Sequence, residues 1–512
     1  MKKAKAHDLE SNLIADDLRK IHILIYPLIF LDDEEIEVRG RRNLDDDLFP
    51  LLSPKHYNLR NFLFSIVHLM CVCHALTRLT YLRPNFRQTV RGMRDFLPEE
   101  ARKLRFIEEN ARRLARLYGY EEVITPVIEH YDLLAAKIGE ENRKRMYVFE
   151  DLGGRKVALR PEFTASIARL VATKMVSAPK PIRLFSVGSL YRYDEPQLGR
   201  YREFWQANYE LIGSNNPEAD AEILDVTSNL LEVVGLKNCI IKINHIGILR
   251  GIFESEGISE DKQNTIMQLL DKKERSKALK LTEEYGASSK CLKTLGSLFE
   301  IKGYEKNSII DEISEAVKDY PVALDSLRNM SEIIDLVEYG DLRAKFYFEA
   351  GFARGLEYYT GIIFEAYVPE LNIAVGGGGR YDKLIELFGG ARIPAVGVAL
   401  GIDRIMLAME KQGVSPPKPE APKVLIVPIN ESTIADAFRI SVMLRRSGIT
   451  AEIETMRRSL SRALSDANRR EVTHVIIVGP REIRGGKVVL RDMQNKIQEE
   501  IRIEDLPKKI RV

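Results

Sequence analysis

The sequence predicts an α+β protein of several domains. Short apolar runs typical of strands recur over residues 121–212 and 345–400 with few helices between them, a pattern that favours an antiparallel sheet. A helical stretch, 247–337, separates these two regions, and a small α/β pattern follows a proline-rich segment near the end. The chain has 512 residues, more than the ~250–300 that one hydrophobic core holds.

The first 85 residues differ in pattern from the rest of the chain. Apolar bursts such as 21–31 stand beside acidic runs such as 32–35, without sustained periodicity. We interpret residues 1–85 as an N-terminal extension, for which two interpretations stay open: a disordered segment, or a start assigned too far upstream. In both cases we expect the extension to be dispensable.

The main α+β domain is predicted to span 86–246 and 338–412. Apolar residues at 104, 107, 111, 114, 115 and 117 mark an amphipathic helix that ends at Gly119. Residues 121–126 follow as a strand that Pro126 stops. The other predicted elements of this domain are the helix 165–176 and the strands 157–159, 182–187, 204–212, 345–349, 362–368 and 395–400.

Residues 247–337 interrupt this domain. They are charged, poor in proline and helical in pattern, with no strand-like run of their own, which indicates an inserted helical domain. Beyond them, 413–422 is a proline-rich linker that is poorly able to form a helix. Residues 423–512 alternate helical stretches with apolar runs at 424–427, 451–453 and 475–478, which predicts a small α/β domain.

Charge is unevenly distributed along the chain. The whole chain carries only +2, which does not by itself indicate a polyanion partner. Residues 421–512, however, hold 18 lysines and arginines against 12 aspartates and glutamates, a net +6. This basic end suits an RNA contact, and a solvated surface rich in Lys and Arg explains the same count equally well.

Composition narrows the class of protein. A chain with 45% hydrophobic and 30% charged residues is typical of globular proteins rather than disordered ones. Four cysteines in a chain too large to need disulfides fit a reducing, cytoplasmic setting. Cys71-Val72-Cys73-His74 lacks the second ligand pair of a zinc site, so no metal ligand is assigned. The apolar stretch 62–76 is shorter than the ~20 residues of a membrane span, so we expect no membrane segment.

Three segments place arginines in settings suited to phosphate. Residues 191–210 contain Arg192 and Arg200 among carboxylates, 353–361 contain Arg354 beside two tyrosines, and 376–404 contain a glycine run followed by Arg404. Each pattern alone has an ordinary explanation, such as surface ion pairs, packing of strand tyrosines or tight turns. Their joint occurrence in one order is far more specific.

In that order the segments resemble the motifs of class II aminoacyl-tRNA synthetases. Arg354-Gly-Leu-Glu-Tyr-Tyr359 is similar to the Arg-Gly-Leu-Asp-Tyr-Tyr signature of the histidyl-tRNA synthetase family, and Leu159-Arg-Pro-Glu-Phe-Thr164 is similar to its Leu-Arg-Pro-Glu-Gly-Thr. Residues 91–98 look like the family's opening segment, and the resemblance extends from there to the C-terminus. It implies a class II antiparallel-sheet catalytic domain with a helical insertion, followed by an α/β anticodon-binding domain.

The resemblance also implies an activity and a set of site residues. The chain would activate histidine with ATP to histidyl-adenylate and transfer the histidine to the 3′ end of tRNA(His). Histidine would be bound by Glu162, Thr164, Gln206, Glu210, Tyr358 and Tyr359. ATP would be bound by Arg192, Arg200 and Arg404, and catalysis would fall to Arg192, Arg354 and Arg404. Carboxylates and amides accept hydrogen bonds from ammonium and imidazole N–H groups, and guanidinium forks bind oxyanions, so the residue types suit these roles.

Further partners are implied by the family. ATP is expected as a substrate together with Mg²⁺, which neutralises phosphate charge in reactions of this kind. A homodimer is expected, because the first class II motif usually forms the dimer interface. The site is expected to bind no protein-held metal that can be assigned to particular residues.

Four positions depart from the family pattern: Phe163 replaces glycine, Asp194 glutamate and Glu357 aspartate, and Glu195 stands where bacterial members often have arginine. Phe163 adds bulk beside the amino-acid pocket, and Glu195 bears on contacts to the RNA acceptor end. Two alternatives stay open. One is a relative that has lost aminoacylation and serves as a regulatory subunit or a sensor of uncharged tRNA. The other is a class II synthetase for glycine, proline or threonine.

Overall fold

The structure is a computed structural model that describes residues 87–136, 138–340, 342, 344–417 and 423–510. The chain divides between Thr89 and Val90, and the elements below all belong to the second part. The predicted extension 1–85 and residues 418–422 of the predicted linker lie outside the described residues. Of the helices that the structure describes, none has the length and apolar character to cross a membrane.

A large, mostly antiparallel sheet forms the centre of the main domain. The strands, numbered along the chain, are β1 (Glu121–Glu122), β2 (Ile128–His130), β3 (Val148–Glu150), β4 (Lys156–Leu159), β5 (Ile182–Tyr191), β6 (Glu203–Ile212), β7 (Ile240–His245), β8 (Lys302–Gly303), β9 (Lys345–Glu349), β10 (Ile362–Tyr367), β11 (Gly376–Arg380) and β12 (Ala395–Gly401). Nine of them pair in the order β1-β5-β6-β12-β11-β10-β7-β9-β8, and β2, β4 and β3 form a small sheet of their own. Within the large sheet the β1–β5 and β7–β9 pairs are parallel, and the other pairs are antiparallel.

Helices cover this sheet. Those of the main domain are α1 (Pro98–Leu117), α2 (Tyr131–Ala135), α3 (Glu140–Arg143), α4 (Thr164–Lys174), α5 (Pro217–Val233) and, after the insertion, α12 (Ile402–Lys411), with a 3₁₀ turn at Ile385–Phe388. The predicted apolar face of α1 is confirmed for five of its six residues, which are buried: Leu104, Ile107, Ala111, Leu114 and Ala115. The prediction is wrong for Leu117, the last residue of the helix, which is 70% exposed. The helix ends before Gly119, whose φ of 76° is a conformation that glycine adopts without strain.

The interrupting segment is a helical layer, as its pattern predicts. Its helices are α6 (Ile246–Ser255), α7 (Glu260–Asp271), α8 (Arg275–Glu284), α9 (Ser289–Glu300), α10 (Lys306–Ala316) and α11 (Pro321–Tyr339). The expectation that it holds no strand is wrong, because β8 lies within it and pairs with β9 at the edge of the large sheet. A strand of two residues is too short to show a period of two.

The C-terminal part is a five-stranded α/β domain. Its strands are β13 (Lys423–Pro428), β14 (Thr450–Ile453), β15 (His474–Val478), β16 (Lys487–Asp492) and β17 (Gln498–Arg502), and its helices are α13 (Ile434–Arg446), α14 (Leu460–Arg469), α15 (Pro480–Arg484) and α16 (Leu506–Ile510), with 3₁₀ turns at Glu431–Thr433 and Ile503–Asp505. The spatial order is β14-β13-β15-β16-β17. The predicted strands correspond to β13, β14 and β15, whereas β16 and β17 were not predicted. The sheet buries residues on both faces, in two separate apolar clusters.

A buried ion pair joins β11 to α5. Arg380 Nη2 lies 2.6 Å from Asp220 Oδ2, and the two side chains are only 7% and 1% exposed. Arg380 Nη1 also donates to the carbonyl oxygen of Ser214 at 2.9 Å. The arginine that follows the glycine run is therefore a structural residue that fixes the end of the glycine strand.

We predict that Asp220→Ala destabilises the protein by about 3 kcal/mol, because it removes the more buried and closer carboxylate partner of the Arg380 guanidinium and leaves only Asp382, at 3.2 Å. Thermal unfolding measures the effect as a lower unfolding temperature. Asp325→Ala is the matched control, since the ion pair of Asp325 with Arg328 is exposed on both sides and should contribute little. Equal unfolding temperatures for the two variants would contradict the prediction.

Candidate active site

A cavity of about 340 Å³ lies beside β6, β11 and β12. Every residue that the sequence predicts for the site lines this cavity. The ten residues are Glu162, Thr164, Arg192, Arg200, Gln206, Glu210, Arg354, Tyr358, Tyr359 and Arg404. The structure thus brings together residues from segments that are far apart in the chain, and their individual roles follow from the contacts that each makes.

A buried carboxylate in the cavity is held by two hydroxyl groups. Thr164 Oγ1 donates to Glu210 Oε1 at 2.7 Å, and the Tyr381 hydroxyl donates to Glu210 Oε2. Burial raises the pKa of Glu210 to about 8, although both hydroxyls act to lower it. Gly397 lies opposite Glu210 on the neighbouring strand, and a Cβ there would stand 1.7 Å from Glu210 Oε2. The carboxylate therefore needs a glycine at this point of β12.

A second carboxylate, Glu162, binds the start of α4. It accepts hydrogen bonds from the backbone N–H groups of Thr164 at 2.6 Å and Ala165 at 2.8 Å. These are donors that a helix N-terminus otherwise leaves unsatisfied. Burial nevertheless raises the pKa of Glu162 above its ordinary value, and the helix amides oppose this shift.

Gln206, on β6, contributes an acceptor to the same cavity. Its Oε1 is buried and has no hydrogen-bond partner among the residues that the structure describes. A buried polar atom without a partner is costly, so it indicates a place for a donor on a ligand. With Glu162 and Glu210, it makes this side of the cavity a site for N–H groups.

Three tyrosines form an aromatic wall. The ring centroids of Tyr358 and Tyr359 are 4.9 Å apart, and those of Tyr358 and Tyr381 are 5.8 Å apart. Burial raises the pKa of all three hydroxyls, which therefore remain protonated. Aromatic faces with polar tips suit a small, flat, polar ring.

Another part of the cavity carries three arginines. Arg192 Nε donates to the Pro161 carbonyl at 2.9 Å, and Arg404 donates to the carbonyls of Gly199 and Ala374 at 3.1 and 2.8 Å. Burial, and then the charges of Arg192 and Arg200, lowers the pKa of Arg404 to about 10. Guanidinium groups held close enough to repel one another make a site for a polyanion.

Arg354 is held separately, against the backbone of β10 and β11. Its Nη1 donates to the Phe364 carbonyl at 2.9 Å and lies 3.7 Å from Glu365 Oε1. Burial acts to lower the pKa of Arg354, but Tyr359, Glu365 and other neighbours outweigh it and raise the pKa. A Cβ on Gly377 would lie 1.8 Å from Nη1, so the guanidinium occupies the space that a glycine leaves open.

The positions that depart from the family pattern lie mostly off the cavity. Phe163 is 1% exposed and packs in a separate apolar cluster, with its ring near the Arg160 guanidinium and with Gly188 beside it. This cluster also contains Tyr381, and Tyr358 packs against it, so the bulk of Phe163 lies beside tyrosines that line the cavity, as expected. Glu357 points to the insertion, where it accepts from Gln268 at 3.0 Å, and Glu195 pairs with Arg91 on the surface. Asp194 lines the cavity and lies 3.5 Å from Arg145.

Sequence reasoning missed several residues of the cavity. Tyr381, Asp271, Glu365 and Asp403 line it. Asp403 accepts from the backbone N–H of Trp205 at 2.6 Å and pairs with Arg94, in the segment 91–98 that the sequence singled out. Tyr381 directly follows the glycine run and its arginine, and that spacing is the one sequence signal that could have placed it. Asp271 lies in the insertion, where the sequence gives no signal at all.

The arrangement can bind an amine-bearing molecule with a polar ring next to a polyphosphate. Hydrogen-bond acceptors and hydroxyl groups face the place for the amine and the ring, and guanidinium groups face the place for the polyphosphate. Arg354 is available as a further cation. In the part of the chain that the structure describes, no group of three or more His, Cys, Asp and Glu side chains is placed to hold a metal ion.

Comparisons with known proteins agree with this geometry. Residues 92–405 match the family model described as Histidyl-tRNA synthetase, and residues 423–512 match that described as Anticodon binding domain. The histidine–tRNA ligase of Methanocaldococcus jannaschii is 40% identical over 423 residues, which cover 82% of this chain and 98% of that protein. That of Pyrococcus furiosus is 40% identical over 424 residues, covering 82% and 97%.

Solved structures show the same likeness. The apo histidyl-tRNA synthetase of S. aureus aligns with a TM-score of 0.59 at 25% identity, over 83% of this chain and 99% of that one. The histidyl-tRNA synthetase of a Nostoc species aligns with a TM-score of 0.67 at 24% identity, over 84% and 99%. At 24% identity, the similarity to the Nostoc structure is one of fold alone.

We predict that Glu210→Gln stabilises the ligand-free protein more at pH 8 than at pH 5. Folding raises the pKa of this carboxyl from 4.5 to about 8. Between these values the unfolded chain has released the proton that the folded chain keeps, so stability is complete below the lower value and falls as pH rises towards the upper one. Glutamine removes this dependence. Unfolding temperatures at pH 5, 6.5 and 8 measure it, with the exposed Glu386→Gln as control. A gain that is the same at every pH would rule the explanation out.

Proposed function

The chain belongs to the histidyl-tRNA synthetase family, and we propose that the cavity beside β6, β11 and β12 is the active site in which it activates histidine. The protein is an ATP-dependent histidine–tRNA ligase. The observation that carries the placement is the pairing, in one cavity, of a buried carboxylate flanked by hydroxyls with a cluster of arginines. One group of residues suits an imidazole-bearing amine, and the other suits a triphosphate.

Histidine would lie against the tyrosine wall. Its imidazole N–H would donate to Glu210, and Tyr359 would complement the second ring nitrogen. The ammonium group would take Glu162, Thr164 and the unpartnered Oε1 of Gln206 as acceptors. A site that hydrogen-bonds both ring nitrogens leaves its own polar groups unpaired when a side chain lacks them, which is how it would reject other amino acids.

ATP would lie along the arginine cluster. Arg192 would hold the α-phosphate and Arg404 the γ-phosphate, with Arg200 at the exposed edge. The lowered pKa of Arg404 supports this placement, because mutual repulsion among the three guanidinium groups is relieved when a polyanion binds.

Arg354 would stabilise the charge that develops during activation. A carboxylate oxygen of histidine attacks the α-phosphorus of ATP, a new P–O bond forms, and the bond from that phosphorus to the bridging oxygen breaks. Diphosphate leaves with the electron pair. Two anionic groups meet in this step, and a fixed guanidinium beside them lowers the barrier by electrostatic stabilisation.

Mg²⁺ would enter with ATP and would neutralise phosphate charge. It usually binds through one or two carboxylates together with substrate phosphates, so it needs no cluster of three protein ligands, and the described residues hold no such cluster. We assign no residue to the ion and derive no step from it.

The second half-reaction needs tRNA(His). The terminal ribose hydroxyl attacks the carbonyl carbon of histidyl-adenylate, and AMP leaves. The domain at 423–512, which matches the anticodon-binding family model and lies in the basic end of the chain, would hold the tRNA and take no part in activation. We place the enzyme in the cytoplasm, and its two described cysteines, Cys239 and Cys291, are free thiols.

We propose that the enzyme is a homodimer. Apolar side chains are exposed on β2, β3 and the segment before them: Ile124, Val127, Ile128, Val148 and Phe149, of which Ile124 is 90% exposed. Exposed apolar side chains gathered on one small sheet and on the segment that leads into it favour a protein interface. A second copy of the chain is the partner that the class II family implies.

The alternative of a regulatory relative is not favoured by the site. Arg192, Arg354 and Arg404 all face the cavity, and each is held by backbone carbonyls in a fixed position. A protein without aminoacylation has no need for three fixed cations beside a histidine pocket.

ATP–diphosphate exchange with each amino acid in turn tests the function. We expect exchange with histidine alone, because binding both ring nitrogens discriminates by about 10⁴–10⁵ against analogues that lack them. Glycine, proline and threonine are the critical competitors. Comparable exchange with any of them would overturn the assignment of the pocket.

Arg354→Ala should reduce the single-turnover rate of histidyl-adenylate formation by about 10²–10³, the range for losing one preorganised charge stabiliser. The concentrations of histidine and ATP that give half the maximal rate should change less, because the interaction with Arg354 matters most as charge develops in the transition state. Arg354→Lys should recover part of the rate, since it keeps charge without the planar fork. A rate for Arg354→Ala within a few-fold of the wild type would remove Arg354 from catalysis.

A further inference from the structure

The helical insertion reaches the active site through one side chain. Among the described residues that line the cavity, Asp271 is the one that comes from 247–337. It is the last residue of α7, and it lines the cavity while remaining exposed. An exposed side chain is held in one orientation only where a partner fixes it.

That partner is the loop that carries Arg354. Asp271 Oδ2 lies against the backbone of Gly355, in the space that a side chain at this position would need, because a Cβ on Gly355 would lie 2.7 Å from it. Partial desolvation raises the pKa of Asp271, and the charge of Arg354 acts in the opposite direction. The other charged groups near it are Glu365 and Lys242.

The same helix holds the loop at a second point. Gln268 lies one turn before Asp271, and its Nε2 donates to Glu357 Oε1 at 3.0 Å. Residues three apart lie on one face of a helix, so the same face of α7 contacts both Gly355 and Glu357. Arg354 directly precedes Gly355 in this loop, and its guanidinium donates to the Phe364 carbonyl on β10. The loop is therefore in contact with α7 on one side of Arg354 and with β10 at its guanidinium.

We propose that Asp271 is a positioning residue for adenylate formation: it fixes the loop so that the Arg354 guanidinium faces the reacting carboxylate and α-phosphate. The proposal rests on the function proposed above for this cavity. It makes the insertion a structural part of the catalytic centre, because the orientation of the catalytic arginine depends on α7.

Asp271→Ala should slow single-turnover adenylate formation by about 10- to 100-fold, since small misplacements of a catalytic group have effects of this size. The concentrations of histidine and ATP that give half the maximal rate should change less than threefold. Asp271→Asn should recover part of the rate, because it keeps the shape that lies against Gly355 while the charge is lost. The matched control is Asp261→Ala, an exposed aspartate in the first turn of the same helix, which should leave the rate unchanged.

A double-mutant cycle separates positioning from a merely structural role. If Asp271 acts through Arg354, Asp271→Ala should cost little further rate in the Arg354→Ala background. Equal losses in both backgrounds would overturn the proposal, as would an Asp271→Ala enzyme that is folded and within threefold of the wild-type rate. Should Asp271→Ala fail to fold, the same cycle with Asp271→Asn decides. Failure of the wild type to show histidine-dependent exchange would instead contradict the proposed function.

Discussion

The active site depends on two places where a strand carries no Cβ. On β12, Gly397 leaves the space that the Glu210 carboxylate occupies, and on β11, Gly377 leaves the space for the Arg354 guanidinium. A methyl group at either point would stand less than 2 Å from a charged atom. Both charged groups therefore lie flat on the sheet, and a rigid sheet is a precise support for groups that must bind and stabilise charge.

The charges gathered in this cavity oppose folding when the cavity is empty. Burial raises the pKa of Glu162 and Glu210. Burial, and then the charges of Arg192 and Arg200, lowers the pKa of Arg404. Ligands of opposite charge would relieve both conflicts. The site thus trades stability for binding, a common relation between the two in enzymes. The ion pair between Asp220 and Arg380 lies just behind the site and fixes the end of the glycine strand.

Part of this arrangement could be predicted from the sequence. The amphipathic face of α1 follows from the spacing of its apolar residues. The ten cavity residues were predicted in another way, from the resemblance of short segments to the motifs of a family. The strand β11 could not be predicted, since a run of glycines shows no alternation of apolar and polar side chains. Its conformation is stabilised by pairing with β10 on one side and β12 on the other. Asp271 could not be predicted either, because its contact with Gly355 joins distant parts of the chain, and no local pattern encodes such a contact.

The packing of Phe163 connects an apolar cluster to the wall of the cavity. Its buried ring belongs to the cluster that contains Tyr381 and against which Tyr358 packs, and both tyrosines line the cavity. Protein interiors are close-packed, so a change of volume in this cluster shifts the side chains that adjoin it. The position of the aromatic rings that would face a ligand is therefore set in part by a residue that does not line the cavity.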